Sequence, residues 1–334
     1  MFSRRRWRPT LVAVVAVALL PTMATAAPER RPERIIGYDG LVYESAPLVV
    51  EGTNDDLFLG LEFDLACAWG GDYFEQGMRR LAGLARVIEE SGRRAVFTVA
   101  PGKADMMRRS IPASALPQGT CNSTSLAGQR RLLDRFPDHN YVSSRKAIAN
   151  DHRQTYWKTD QHWTEIGVSH YALELAQALD PALARRQRYR KATQTQVGYL
   201  NYIRGIQTPE SVRSVRYAGK VTVHTAKDSP WPMGSSHTDM RWRSTPASKT
   251  WPGHTLLLAD SFTVVGLDSL APLFRSGRFL WNNNFPDQVV AKAVAHADTV
   301  VIEVVQWLVH GSSLGSVSLR KAVKRELRHH PYRP

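Results

Sequence analysis

Apolar and polar positions alternate in blocks along this chain, and the period changes from block to block. Residues 57–65 and 95–100 are apolar runs of strand length, as are 254–259 and 298–305. Between them lie stretches with apolar residues three and four apart. In residues 73–90, Leu81, Leu84, Ala85 and Ile88 share one helical face, and Gly92 ends the run. Residues 125–136, 287–297 and 316–327 read as helices, the last strongly basic. A helix over 164–179 has Thr164 placed to cap it and Pro181 to stop it. A further helix is expected from Ser261 to about residue 275, and an antiparallel piece at 221–225. Strands alternating with helices predict an α/β protein with a mostly parallel sheet covered on both faces. Residues 208–250, rich in Ser, Pro, Arg and Trp, break the pattern and read as an irregular or small β insertion.

The first 27 residues have a different pattern. Arg4, Arg5, Arg6 and Arg8 precede an apolar run at 11–20, with small residues at Ala24, Ala26 and Ala27. That run is too short to span a bilayer comfortably, so residues 1–27 read as an export signal, with an uncleaved anchor as the alternative. Residues 28–334 then form one domain placed outside the cytoplasm, in the periplasm or cell envelope or secreted. The formal net charge is +14, and much of it stands in Arg185, Arg186, Arg188, Arg190, Lys191 and the C-terminal helix. For an exported protein such a surface suits an anionic polymer or headgroup, and no nucleic-acid motif accompanies it. Arginine-rich solvated helix faces explain the charge equally well. Cys67 and Cys121 are the two cysteines. In an oxidising compartment they invite one disulfide, typically of about 3–4 kcal/mol. No metal-ligand spacing includes either, and no cofactor motif is evident.

Candidate chemistry is concentrated in two segments. Tyr156-Trp-Lys-Thr-Asp-Gln-His-Trp163 holds Asp160 two residues before His162, between aromatics. A carboxylate there orients an imidazole and stabilises the imidazolium that forms when it takes a proton. The second segment is Leu256-Leu-Leu-Ala-Asp-Ser-Phe262, with Ser261 just after an apolar strand, where a turn exposes a hydroxyl. Ser261, His162 and Asp160 together are the minimum for acyl transfer through a serine ester. Bland roles exist for each: Ser261 as a helix cap, His162 as a packed ring beside Trp163, Asp160 as a cap. His310, after the last strand, is a rival base without a nearby acid. Asp160, His162 and His170 are a weaker metal-type grouping. Tyr156 and Trp163 are candidates for stacking on sugar faces. The Ser261 amide is the first oxyanion donor to consider, and Asn282, Asn283 and Asn284 form a second donor-rich loop.

Asp-x-His-Trp-Thr after Tyr-x-x-Thr, with a later Asp-Ser-Phe behind an apolar strand, resembles the AlgX/AlgJ alginate O-acetyltransferase family of the SGNH hydrolase-like superfamily. Gly37-Tyr-Asp-Gly-Leu-Val-Tyr43 and Ala100-Pro-Gly-Lys103 with Ile111-Pro112 are weaker matches in the same order. The resemblance implies a three-layer, flavodoxin-like α/β fold and a serine-dependent O-acetyltransferase of polysaccharide, with Ser261, His162 and Asp160 as catalytic triad. It also implies a polysaccharide acceptor and a membrane-bound acyltransferase as donor partner. The family's Gly-Asp-Ser-Phe is Ala259-Asp-Ser-Phe262 here, and Leu41 stands where a Trp is usual. A carbohydrate acetylesterase with the same residues, or a non-catalytic polysaccharide-binding protein, are the other expectations.

Overall fold

The structure, a computed structural model, describes residues 34–226, 239–282 and 285–332. The expected export signal at 1–27, Asn283 and Asn284, and part of the segment 208–250 lie outside the described residues. In chain order the strands are β1 (Arg34–Ile36), β2 (Val42–Glu44), β3 (Val49–Glu51), β4 (Leu57–Leu59), β5 (Arg94–Ala100), β6 (Tyr141–Val142) and β7 (Tyr189–Gln196). They continue as β8 (Glu210–Tyr217), β9 (Thr222–Ala226), β10 (Asp239–Thr245), β11 (Trp251–Ala259), β12 (Phe274–Trp281) and β13 (Thr299–Val305). The principal helices are α1 (Gly60–Ala68), α2 (Asp72–Glu89), α3 (Gly119–Arg135), α4 (Glu165–Leu179), α5 (Ser261–Val265), α6 (Asp287–Ala295) and α7 (Val317–His329).

A seven-stranded sheet runs β6-β5-β13-β11-β12-β10-β9. The β6, β5, β13, β11 and β12 strands are mutually parallel, whereas β10 and β9 add an antiparallel edge. Successive side chains of a strand point to opposite faces, and the core divides accordingly. Leu256, Leu258, Val300 and Ile302 pack on one side with α2, α6 and α7. Leu257, Ala259, Val301 and Val305 pack on the other with α4 and Phe262. Because both faces are covered, β5 and β13 read as continuous apolar runs rather than alternating ones. The result is the three-layer α/β architecture expected. Among the described residues, no helix is long and apolar enough to cross a membrane.

Two elements differ from expectation. The run 57–65 is a strand only at β4, which pairs with β3; from Gly60 it is α1. A short apolar run does not separate the two states, and Phe63, Ala66 and Cys67 are buried at helical spacing. The helix expected from Ser261 ends at Val265, and residues 274–281 form β12 instead. Gly266 and Pro272 interrupt the helix, while Arg275, Ser276 and Arg278 hide the strand among polar residues. In the segment 208–250, the described residues are largely β: β8 pairs with β7, and β9 and β10 extend the main sheet. Leu41, in the first hairpin, is 59% exposed, so the missing Trp is a surface change.

Beside the sheet, Phe58, Phe63, Ala66, Ala104 and Leu126 form a separate apolar cluster under the N-terminal segment. A disulfide joins Cys67 of α1 to Cys121 of α3, with 5.3 Å between their Cα atoms. It fastens this outer layer to the body.

Candidate active site

The loop before α4 is pinned from several sides. Its ends meet in a bridge between Tyr156 and Trp163, with Trp157 N donating to the His162 carbonyl at 3.2 Å and Thr164 N to the Thr155 carbonyl at 2.9 Å. Glu210, at the start of β8, takes the Lys158 and Thr159 amide protons at 2.9 Å each, and the Thr159 hydroxyl at 2.8 Å. A Cβ on Gly198 would stand 2.1 Å from the Thr159 carbonyl oxygen, so only glycine lets the following helix come this close. Lys103, fully buried, donates from Nζ to the carbonyls of Leu57 and Lys158 at 2.7 Å and of Asp160 at 3.2 Å. Burial lowers its pKa to about 8, against the pull of Asp56 and Asp160. A buried cation therefore sits directly behind the Asp160 backbone.

Asp160 accepts from Tyr199 N on Oδ2 at 2.8 Å, and from His162 N on Oδ1 at 3.0 Å. Its Oδ1 also lies 2.7 Å from His162 Nδ1. Burial alone pushes the carboxyl up, but the His162 ring and these two amides outweigh it and hold Asp160 below its usual range. With Nδ1–H given to an ionised Asp160, the lone pair of a neutral imidazole is at Nε2. That nitrogen is 2.8 Å from Ser261 Oγ.

Ser261 opens α5 at the C-terminal end of β11, the edge of a parallel sheet where reactive groups gather. The helix cap is Asp260, whose Oδ1 takes the Phe262 amide proton at 2.9 Å and whose Oδ2 takes that of Val305 at 2.7 Å. Ser261 itself is only partly buried. Because Asp260 does the capping, the Ser261 hydroxyl is left to His162. Ala259 stands at the last β11 position, buried in the sheet, and its extended strand conformation requires no glycine.

The expected sugar-stacking role of Tyr156 and Trp163 does not fit their positions. Tyr156 and Trp163 are each 1% exposed and present no face to a sugar. The Tyr156 hydroxyl donates to the Pro101 carbonyl at 2.6 Å, and Trp163 stacks on Tyr171 with its Nε1 donating to the Phe262 carbonyl at 2.9 Å. Their role is to join the two segments from inside. Asn282 is also turned inward, donating through Nδ2 to the Glu303 carbonyl at 3.3 Å. His310 lies elsewhere, against Trp69 and Tyr73 and 2.8 Å from Arg80 Nη2. His170 is paired with Asp151 at 2.7 Å and does not join Asp160 and His162. Among the described residues no cluster of three or more His, Cys, Asp or Glu is placed to hold a metal ion.

Residues 49–229 match the family described as the SGNH hydrolase-like domain of acetyltransferase AlgX, over more than half of the chain. The chain belongs to this family. The matched span holds Asp160 and His162 and ends before Ser261, so the serine half of the relay is carried by the geometry. Among solved structures, the O-acetyltransferase domain of Pseudomonas putida AlgJ is similar at 16% identity and a TM-score of 0.50, over 83% of this chain and 98% of that one. Bacillus cereus PatB1 is similar at 15% identity and a TM-score of 0.52, over 74% and 94% of the two chains. Pseudomonas aeruginosa AlgX gives 14% and 0.51, over 84% of this chain and 65% of its own. At such identities the likeness establishes the SGNH-like fold. Comparison with curated protein sequences finds no match.

Proposed function

We propose that this protein is a serine-dependent O-acetyltransferase acting outside the cytoplasm on a cell-surface or secreted polysaccharide. The observation that carries the reading is the continuous chain from Asp160 through both nitrogens of His162 to Ser261 Oγ. Membership of the AlgX family supports it.

In this reading Ser261 Oγ attacks the donor's acyl carbon as its proton passes to His162 Nε2. The imidazolium, held by Asp160, gives that proton to the departing donor oxygen or sulfur, leaving an acetyl ester on Ser261. A sugar hydroxyl then surrenders its proton to Nε2 and attacks the ester, and Ser261 leaves with the proton restored. Ser261 N–H, at the first position of α5, is a helix-terminal amide without an intrahelical acceptor and is available for the developing oxyanion. The donor partner would be a membrane acyltransferase that passes acetyl groups outward. The basic surface suits a polymer rather than a small neutral acceptor.

An acetylesterase uses the same residues with water in place of the sugar. Incubating the protein with an activated acetyl ester, with and without oligosaccharide, separates the two. Acetylated sugar at the expense of free acetate supports transfer; acetate release unaffected by any glycan makes the protein an esterase.

A further inference from the structure

Beneath Ser261 lies a second carboxyl group that the reaction just described does not use. Glu303 lies within β13, fully buried between the apolar residues Val300–Ile302 and Val304–Val305. Its Oε2 accepts the Asp260 amide at 3.2 Å and the Thr263 hydroxyl at 3.0 Å, so it holds the turn on both sides of Ser261. The Asp260 carboxyl in turn reaches back to the same strand, where its Oδ2 takes the amide proton of Val305, two residues beyond Glu303, so the two buried carboxyls are neighbours.

Two carboxylates are acceptors only, and a hydrogen bond between them requires one proton. Both Asp260 oxygens already receive amide protons, from Phe262 and Val305, which favours the anion there. Glu303 Oε1 is buried and accepts from no N–H or O–H donor. An ionised Glu303 would leave that oxygen unsolvated and unpaired, whereas a protonated one has a donor to offer its neighbour.

Resting on the reading of Ser261 as nucleophile, we propose that Glu303 is a positioning residue that works as a neutral carboxylic acid. It donates its proton to the Asp260 carboxylate and accepts from Asp260 N–H and Thr263 Oγ–H, so that one negative charge and one proton lock the turn presenting Ser261. Burial pushes both carboxyls upward, and the neighbouring Asp260 charge pushes Glu303 further, well above the ordinary carboxyl range. The other titratable groups facing the pair are His162, which favours the Asp260 anion, and Tyr171 of α4, whose own pKa burial raises further. The pair titrates as a unit.

The test compares Glu303→Gln with Glu303→Leu in the whole protein, with ester turnover, fluorophosphonate labelling of Ser261 and infrared spectroscopy as readouts. Gln supplies one acceptor and one donor without charge, so it should keep kcat within about threefold, while Leu should lower kcat by roughly a hundredfold with KM little changed. Glu62 also keeps its proton near neutral pH, so the readout is the difference: the infrared carbonyl band of un-ionised carboxylic acid should be stronger in wild type than in Glu303→Gln, by the contribution of one group. Equal collapse of kcat in Gln and Leu variants of unaltered fold would mean that the anion is needed, and would overturn the proposal. Full kcat in Glu303→Leu would overturn it as well. If wild type neither turns over ester nor labels, the acyl-transfer reading fails, and the difference between wild type and Glu303→Gln alone decides the protonation state: equal bands in the two reject a neutral Glu303.

Discussion

Trp163 Nε1 donates to the carbonyl oxygen of Phe262 at 2.9 Å, so the residue after His162 is bonded to the residue after Ser261. The proposed base and nucleophile come from segments 99 positions apart in the chain. This buried bond, reinforced by edge contact of the Trp163 and Phe262 rings at 5.2 Å, fixes their separation from below. Packing and chemistry are linked at this point.

Trp163→Phe keeps most of the ring volume but leaves the Phe262 carbonyl without its donor. A buried orphan acceptor costs about 1–3 kcal/mol. The expected outcome is a loss of that size in urea unfolding, together with a fall of roughly tenfold in kcat as His162 and Ser261 drift apart. A stability loss with unchanged kcat would show that the bond serves the core alone.

Asp160→Asn retains the shape of the loop but removes the anion that holds Nδ1–H and balances the imidazolium. Turnover should fall by about 10³–10⁴, and His162→Ala should be at least as damaging. Both should leave the fold intact by circular dichroism. An Asp160→Asn variant with activity near wild type would show that His162 needs no ionised partner.

Glu62 gives a prediction in pH. Burial pushes its carboxyl from 4.5 to about 8, against the Ala104 amide on Oε1 at 2.8 Å and the Lys103 charge. The folded protein keeps this proton where the unfolded chain has lost it. Its contribution to stability is therefore full below about pH 4.5 and declines as pH rises toward about 8, by up to ~1.4 kcal/mol per unit. Lys103 acts in the opposite sense, but only above about pH 8, where the unfolded chain holds a proton that the folded one gives up. Glu62→Gln should remove the decline, so its stability relative to wild type should improve between pH 5 and 7.5 in urea titrations. A constant difference across that range would mean that Glu62 is ionised in the fold.

How much of this was visible in the chain depends on where each partner lies. Asp160 and His162 are two residues apart, and Ser261 follows an apolar run that is the strand β11, so local spacing together with the family resemblance singled out all three as candidates. The same rule missed β12, because Arg275, Ser276, Gly277 and Arg278 interrupt its apolar positions while β11 and β10 pair with it on either side. Tyr156 and Trp163 looked like sugar platforms because an aromatic side chain is equally suited to a core, and only burial separates the two. Glu210 and Lys103 hold the loop through backbone atoms far away in sequence, which leaves no pattern. Glu303 did leave one: an acid within 298–305 has no other reason to stand in a fully buried strand.

The Cys67–Cys121 bond closes a separation of 54 residues and ties α1 to α3. Reduction, or Cys67→Ser with Cys121→Ser, should cost about 2–4 kcal/mol. Because Ser261 follows β11 of the main sheet, and Asp160 and His162 lie on the loop before α4 rather than on this outer layer, turnover by the folded fraction at 25 °C should be preserved within about twofold. A larger loss of kcat would show that the layer under the disulfide reaches the site through Lys103, which bridges Leu57 to Asp160.

The proposed function requires that Ser261 becomes acylated. Brief exposure to an activated acetyl ester, acid quench and mass spectrometry of the proteolytic peptide carrying Ser261 measure this directly. An acetyl group on Ser261 in wild type, absent from Ser261→Ala and strongly reduced in His162→Ala, is the predicted result. A wild-type protein that turns over ester while Ser261 stays unmodified at every quench time, or a Ser261→Ala variant as active as wild type, would contradict it.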